Sequence, residues 1–468
     1  MARSSQDILL AKIRNGEPLS LGEQLSLTFT LGLPAMLAQF CTVLMQYIDA
    51  SMVGHLGATQ AAAIGLVSTS TWIFGGFCMA TTSGFSVQVA HLIGGNDPAR
   101  ARSVLRQALT SVLIFAGLLM LLGISIASPL PRWLGGTEEI CADASGYFLI
   151  FVLFIPFMQL GWTCGAMLQA SGNMRTPATL NILMCLMDVV FNYLFIYVLD
   201  MGVRGAALGT GLAEAVTALL MLYAVTLRSP QLRLDREKGS FLPTRECIRT
   251  ALGISSPMWI QNLIMRGAYI AGTVIVAPLG PIAIAANAFA VTAESFCYMP
   301  GYGLEEAATT LVGQSRGAGR KDLSRRFGYI TTGMGAAIMT FLAVLMYIFA
   351  PQMIGLMSND AEVVSLGARI LRIEAFAETL YAVSIVAYGA FVGAGDTLIP
   401  SIMNFTSMWV VRIGLAVWLT PRYGLAGYWM AMCVELNFRG LIFLLRLRGG
   451  RWLNRQLSVN INENLNNK

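Results

Sequence analysis

Twelve apolar runs divide this chain, each close to the roughly 20 residues that a helix needs to cross a bilayer, and short charged or Gly/Pro-rich breaks separate them. They fall near 25 to 50, 60 to 92, 104 to 128, 145 to 167, 178 to 199 and 205 to 227, then near 250 to 276, 283 to 312, 327 to 350, 363 to 391, 401 to 420 and 424 to 446. The 468 residues are 56% hydrophobic and 12% charged, with mean hydropathy +0.64. Too little polar surface is available to cover soluble domains of that composition. The fold class expected is therefore an all-α integral membrane protein with twelve transmembrane helices in two six-helix lobes.

Charge placement orients the spans. The formal net charge is +6, but the bases sit in short loops and mark topology; no nucleic-acid partner is expected. Loops and adjoining span ends on the side of the termini hold twenty-three Lys and Arg, while the opposite loops hold Arg132, Arg204 and Arg422. Positive charge collects on the cytoplasmic side, so both termini are expected there, in a multi-pass protein of the cell membrane. The expected divisions are a cytoplasmic segment 1–24, a first lobe 25–227, a solvated cytoplasmic linker 228–249 rich in Arg, a second lobe 250–446 and a cytoplasmic tail 447–468. Met1 to Glu23 has no short apolar core before a cleavage site and does not read as a signal peptide.

Sliding the sequence along itself by one constant interval superimposes Pro34 on Pro257, Leu56-Gly57 on Leu279-Gly280, Gly94 on Gly317 and Arg102 on Arg325. Without a gap the same shift aligns Gly172 with Gly395, Pro177 with Pro400 and Asn181 with Asn404. A displacement of six spans makes the halves parallel repeats, related by a pseudo-two-fold axis along the membrane normal. Such halves enclose a midplane cavity that can open to either side, which is the architecture of a transporter.

The embedded polar residues carry the chemistry. In the first half these are Asp49, Asp188 and Glu214, and every Lys or Arg before position 228 lies in a loop or at a helix end. An acid near mid-bilayer costs about 2.5 to 3.5 kcal/mol, so each must be protonated, hydrated or bound to a cation. Asp188 and Asn192 stand at i and i+4 on one helix face, with Asn181 two turns earlier. Oxygen ligands on one face suit Na⁺ or a carboxyl that trades a proton. The plainer alternative is interhelical hydrogen bonding, worth about 0.6 kcal/mol on average. Glu214 reads equally well as packing or function.

The second half embeds Arg266, Arg369, Arg372, Arg412 and Arg439 beside Glu294, Glu374, Glu378 and Glu435. Structural charge pairing is the favoured reading for Arg266 and Arg412, with Glu294 or Glu378 as partners; substrate contact by either Glu is the alternative. Tyr47, Trp72, Phe154, Phe157, Tyr269, Phe296 and Tyr381 are candidate cavity-lining aromatics. Eight scattered cysteines form no CxxC, the two histidines, His55 in a loop and His91 near a span end, form no zinc motif, and no GxxxxGK[ST] is present. No cofactor, structural metal, direct ATP chemistry or enzymatic nucleophile is expected.

The run Gln46-Tyr47-Ile48-Asp49-Ala50-Ser51-Met52-Val53-Gly54-His55-Leu56-Gly57 resembles the D-x-x-x-V-G-x-L-G signature of the multidrug and toxic compound extrusion (MATE) family. Pro300-Gly301-Tyr302-Gly303, Ala307 to Gln314 and Gly317-Ala318-Gly319-Arg320 resemble its eighth-span motif. Gln169 to Asn173 with Pro177, Gly393 to Thr397 with Pro400, and Gly202 to Ala207 extend the likeness over nearly the whole chain. The resemblance implies a secondary active antiporter exporting organic cations or amphipathic compounds in exchange for Na⁺ or H⁺, acting as a single chain in the bilayer. It places the coupling site on Asp49, Asp188, Asn192 and Thr210. It also exposes departures: Arg266 stands where many members have a seventh-span acid, and Tyr381 where they have a tenth-span aspartate. Coupling is therefore expected through the first half. Tyr47, Asn181, Glu294, Glu378 and Tyr381 are the candidate substrate-cavity residues. A lipid-linked oligosaccharide flippase of the same broad superfamily is the alternative; its pyrophosphate cargo would call for embedded bases that the first half lacks.

Overall fold

A computed structural model describes residues 5–236 and 238–454. Among these residues every regular element is helical. A short helix, Ser5–Arg14, buries Leu10 and Ile13 and precedes the first span, Leu21–Leu56. The second to fourth spans are Ala58–Gly94, Pro98–Ala127 and Glu138–Ala170. The fifth, Arg175–Tyr193, widens into a π-helical turn at Leu194–Val198, and the sixth, Gly202–Tyr223, does the same at Ala224–Arg228. Arg245–Val276, Pro281–Gly317 and Lys321–Gly355 form the seventh to ninth.

The last three spans depart from simple rods. The tenth, read from the sequence as one run, is two helices, Ala361–Glu374 and Glu378–Gly393, bent by 59° at the break. The eleventh passes from Leu398–Phe405 through a π-helix at Thr406–Ile413 into Gly414–Tyr423. By length and apolar character alone ten single helices qualify as spans, and the bent tenth makes eleven. The twelfth, Leu425–Gly449, is long enough, with 25 residues, but carries Glu435 and Arg439 on its buried face.

The internal repeat is written into the backbone as well as the sequence. Gly57 and Gly280 both take positive φ (130° and 92°), as do Asn96 and Gly319 (59° and 74°) and Gly172 and Gly395 (94° and 79°). Each pair stands at the shift that aligns Pro34 with Pro257. These are tight reversals between spans, and glycine or asparagine is the residue that accepts such a conformation cheaply.

Two compact units result. One joins Leu10–Glu17 to Cys41–Trp259; the other joins Pro18–Phe40 to the described chain from Ile260 onward. The first and seventh spans thus each contribute to both units, changing over a few residues after Pro34 and Pro257, which remove a backbone donor inside each helix.

In the first unit the stretch after the sixth span, expected to be solvated, is docked. Arg102 Nη1 donates to the Gln231 carbonyl at 3.1 Å. The Thr244 amide and hydroxyl both donate to Gln107 Oε1, at 2.8 and 2.9 Å. Leu232 is completely buried. Arg102 and Arg106 are themselves buried, so they need acceptors, and this segment's carbonyls supply them.

In the second unit the eighth and tenth spans meet backbone to backbone. A side chain at Gly389 would strike the Glu305 carbonyl, and one at Gly393 would strike the Thr309 backbone. Thr309 Oγ1 donates to the Gly389 carbonyl at 2.9 Å. Forcing extra atoms into a packed contact costs about 1 to 3 kcal/mol. Gly393→Val is accordingly expected to lower the melting temperature in detergent, whereas the same change at Gly333, which has open space beside it, should leave it unchanged; melting curves of the two variants check this.

Candidate functional site: a carboxyl cluster without a base

Asp49 on the first span, Asp188 and Asn192 on the fifth, and Thr210 on the sixth come together in one unit. Asn192 Nδ2 donates to Asp49 Oδ1 at 2.9 Å and to Asp188 Oδ2 at 3.2 Å. One amide therefore bridges two carboxyl groups. The Asp188 carboxyl is also approached by the Asp49 carboxyl and by the Thr210 side chain. Asp188 and Asn192 are 0% and 1% exposed.

Local structure explains why these groups can meet. Spacing at i and i+4 puts Asp188 and Asn192 on one face. Gly209, next to Thr210, has no side chain where the Asn192 backbone and amide oxygen sit; a Cβ there would overlap them. The sixth span can then lie directly against the fifth. Tyr147 of the fourth span lies within electrostatic reach of Asp49, Asp188 and Glu214, and Glu214 within reach of Asp188. Sequence reasoning passed over both Tyr147 and Gly209. The signal for Gly209 was its place in the Gly-Thr-Gly run beside Thr210.

The balance of donors and acceptors is uneven. Asp188 Oδ1 and Asn192 Oδ1 are buried acceptors with no hydrogen-bond partner, and no Lys or Arg forms a salt bridge with Asp49 or Asp188 among the described residues. Two carboxyl groups at this separation repel each other when both are charged. A proton between them, or a hard cation ligated by their oxygens with those of Asn192 and Thr210, removes the conflict. These are the residues of the first half that could hold Na⁺ or H⁺. Asn181 lies seven residues before Asp188, half-buried and outside the hydrogen-bonded cluster.

The second unit arranges its charges differently. Arg439 and Glu435 form a buried ion pair, with Nε to Oε1 at 2.7 Å and Nη2 to Oε2 at 2.8 Å; Ser407, in the π-helical part of the eleventh span, also donates to Glu435. Arg412 packs against the Met408 and Met432 sulfurs and lies 5.8 Å from the Tyr269 ring centre and 5.9 Å from that of Tyr428. It reaches Glu294, Glu374 and Glu435 through space. Arg266 sets its guanidinium 5.9 Å from the same Tyr269 ring. Glu374 and Glu378 flank the break in the tenth span, both 0% exposed, with all four carboxyl oxygens lacking hydrogen-bond donors. Cys297 is the side chain closest in character to a partner for Glu378. Tyr381 is buried, with its ring 5.8 Å from Tyr298 and the Arg439 guanidinium 6.0 Å from its centre.

Four acids, Glu294, Glu374, Glu378 and Glu435, thus share this region with three guanidinia, Arg266, Arg412 and Arg439, so charge neutrality requires protons or cations here too. Two further embedded acids, Glu305 and Glu306, went unnoticed in the sequence; Gln39 donates to Glu306 Oε1 at 3.0 Å. Tyr47 and His55 lie elsewhere, lining an open cavity at the Leu56 end of the first span. His55, expected in a loop, closes that helix's last turn.

The sequence profile of the MatE family matches residues 34–194 and 257–418, two segments that begin at the repeat-related prolines Pro34 and Pro257. The chain belongs to the MATE family of membrane transporters and is not an enzyme. Among curated relatives, it is 26% identical over 434 residues to the "Probable multidrug resistance protein NorM" of Thermotoga maritima, covering 90% of this chain and 92% of that one. It is 25% identical to the "Multidrug resistance protein MdtK" of Yersinia pestis, covering 91% and 95%. Among solved structures, the Vibrio cholerae MATE transporter VcmN superposes with a TM-score of 0.84 at 18% identity, over 96% of this chain and 98% of that one. A transporter of the MOP superfamily from Pyrococcus furiosus gives 0.87 at 20% identity, over 97% and 100%. The fold is accordingly that of twelve membrane helices in two six-helix lobes.

Breaking one partner out of a buried ion pair costs about 3 to 5 kcal/mol because the other charge is stranded. Arg439→Met is expected to lower thermal stability in detergent clearly, and adding Glu435→Gln should recover part of the loss. Equal melting temperatures for the single variant and the wild type would remove the pair from the stability of this half.

Proposed function

We propose that the chain is a secondary active multidrug efflux antiporter, exporting organic cations and amphipathic compounds in exchange for Na⁺ or H⁺ by alternating access. The observation that carries this reading is the bridging of two carboxyl groups by one amide, with orphaned buried acceptors and no base beside them. The names of the NorM and MdtK relatives support drugs as the cargo. The excess of Lys and Arg on the side of the termini supports a cell-membrane protein with both ends in the cytoplasm. Asp49, Asp188, Asn192 and Thr210 form the coupling site on this reading, and the working unit is a single chain.

The exchange works by competition. A bound ion or proton neutralises the cluster and withdraws the negative charge that attracts an organic cation. Linkage then requires each ligand to weaken the other by the same factor. With H⁺ as the coupling ion, drug affinity falls as pH drops; with Na⁺, it falls as sodium rises at fixed pH.

Asp49→Asn is expected to fold and insert at normal levels while losing coupled drug efflux. Dye efflux from inside-out vesicles, with proton and sodium gradients imposed separately, reads this and identifies the ion. Full efflux by the variant would overturn the assignment. For Asp188→Asn, drug affinity should no longer respond to the ion that modulates the wild type. Retention of the whole wild-type response, measured by titration across pH and sodium, would place Asp188 outside the mechanism.

A further inference from the structure

Arg369 and Arg372 lie inside the tenth span, yet no carboxylate among the described residues forms a salt bridge with either. With Glu362, Ser365 and Phe376 they make one stripe, spaced three and four residues apart from the start of Ala361–Glu374 to the break that follows it. All five residues are exposed. The opposite face of the helix is buried at Val363, Gly367, Ile370, Leu371 and Glu374. A basic side chain on the lipid-facing side of a span is costly unless it reaches an anion. The anion that a bilayer itself supplies is the phosphodiester of a phospholipid.

Local geometry holds the Arg372 guanidinium ready for such a group. Pro351 has no N–H to give the Tyr347 carbonyl four residues before it. Arg372 Nε donates to that carbonyl instead, at 3.2 Å, and its guanidinium lies 5.6 Å from the centre of the Tyr347 ring. Phe376 meets the same ring edge-on, with centres 5.9 Å apart. One edge of the guanidinium is thus fixed and the Nη groups are left for a phosphate, which arginine binds through two parallel hydrogen bonds. Side chains on a helix lean toward its N-terminus, here the end joined to the ninth span by Leu356 to Asp360. Both arginines therefore run toward the nearer headgroups. Closer to that end, Glu362, Ser365 and Arg369 line an open cavity of about 360 Å³, enough for a small ligand group. From that end inward the stripe runs acid, hydroxyl, base, base and ring. An aminophospholipid in a bilayer runs amine, phosphate and acyl chain in the same direction.

We propose that this stripe binds one phosphatidylethanolamine molecule of the leaflet reached by the connection between the ninth and tenth spans. Its phosphodiester sits on Arg369 and Arg372, its ammonium toward Glu362 and an acyl chain over Phe376. Phosphatidylglycerol brings no cation to set against Glu362 and binds less tightly. The site depends on neither the coupling ion nor the cargo, so its failure leaves the export reading untouched.

The test adds defined lipids to the purified full-length protein in detergent and follows bound molecules by native mass spectrometry. The wild type is expected to bind one phosphatidylethanolamine more tightly than phosphatidylglycerol. Arg369 is exposed, so Arg369→Leu should keep the wild-type melting temperature while weakening that binding about ten- to hundred-fold, the worth of a hydrogen bond to a charged group. Arg372→Leu should weaken it at least as much, and Glu362→Gln should abolish the preference for the ethanolamine headgroup. Unchanged phosphatidylethanolamine binding in both arginine variants overturns the proposal. So does diacylglycerol binding with the same arginine dependence, which would show an apolar groove blind to phosphate. Equal affinity of the wild type for the two phospholipids would take Glu362 out of the site and overturn the assignment of the headgroup. Loss of a protein dimer in Arg369→Leu, with lipid binding unmoved, would give the stripe to a second copy of the chain and overturn it too.

Discussion

A carboxyl group inside a bilayer with no base beside it has to be supplied with a positive charge from elsewhere, and the first half of this protein is built around two of them. Asn192 can donate to both Asp49 and Asp188 only because three helices converge at one point. Convergence depends in turn on Gly209, whose missing side chain lets the sixth span touch the fifth at Asn192. An amide bridge is a weak answer to two like charges, since it supplies hydrogen bonds and no net charge. The cluster balances its charge only with a proton or a cation in it, and the proposed coupling role rests on that imbalance.

The second half shows the same fold with the opposite solution. Its spans reverse at the repeat-related positions, with positive φ at Gly280, Gly319 and Gly395 as at Gly57, Asn96 and Gly172. Yet it sets bases among its acids: Glu435 is locked to Arg439, and Arg412 sits within reach of three carboxylates. Duplication conserved the turns, because backbone reversals admit few residues. It left the buried polar residues free to diverge, because a helix tolerates any side chain its surroundings can satisfy.

That division explains what could be read from the sequence. The spans, their number and the repeat were legible because apolar length and turn chemistry act locally. Asp49, Asp188 and Asn192 stood out because each interrupts an apolar run and two of them share a helix face. The break in the tenth span was not legible: Glu374-Ala-Phe-Ala-Glu378 holds no glycine or proline, and its bend appears only in tertiary context. The docked segment after the sixth span was hidden for a different reason. Arg102 and Arg106 read as topology charges, and nothing in their own sequence says that they are buried against carbonyls of residues far along the chain. Glu305 and Glu306 escaped notice between a glycine-rich motif and a run of small residues, although they lie inside the eighth span and are half-buried.

The chemical asymmetry of the halves bears on how an exchanger of this kind could work. An acid already paired with an internal base, as Glu435 is with Arg439, offers an arriving cation no net attraction, so an ion gains little by binding there. An unpaired acid offers it a whole charge. On the proposed mechanism, the conformational preference of the protein is then set by occupancy of the Asp49–Asp188 cluster. The acids at the tenth-span break are the one place in the second half where the pairing is unfinished, since Glu374 and Glu378 receive no hydrogen bond. Three guanidinia, Arg266, Arg412 and Arg439, cannot neutralise four carboxylates, so that break carries a charge requirement of its own, and the second half cannot be treated as a passive frame for the first.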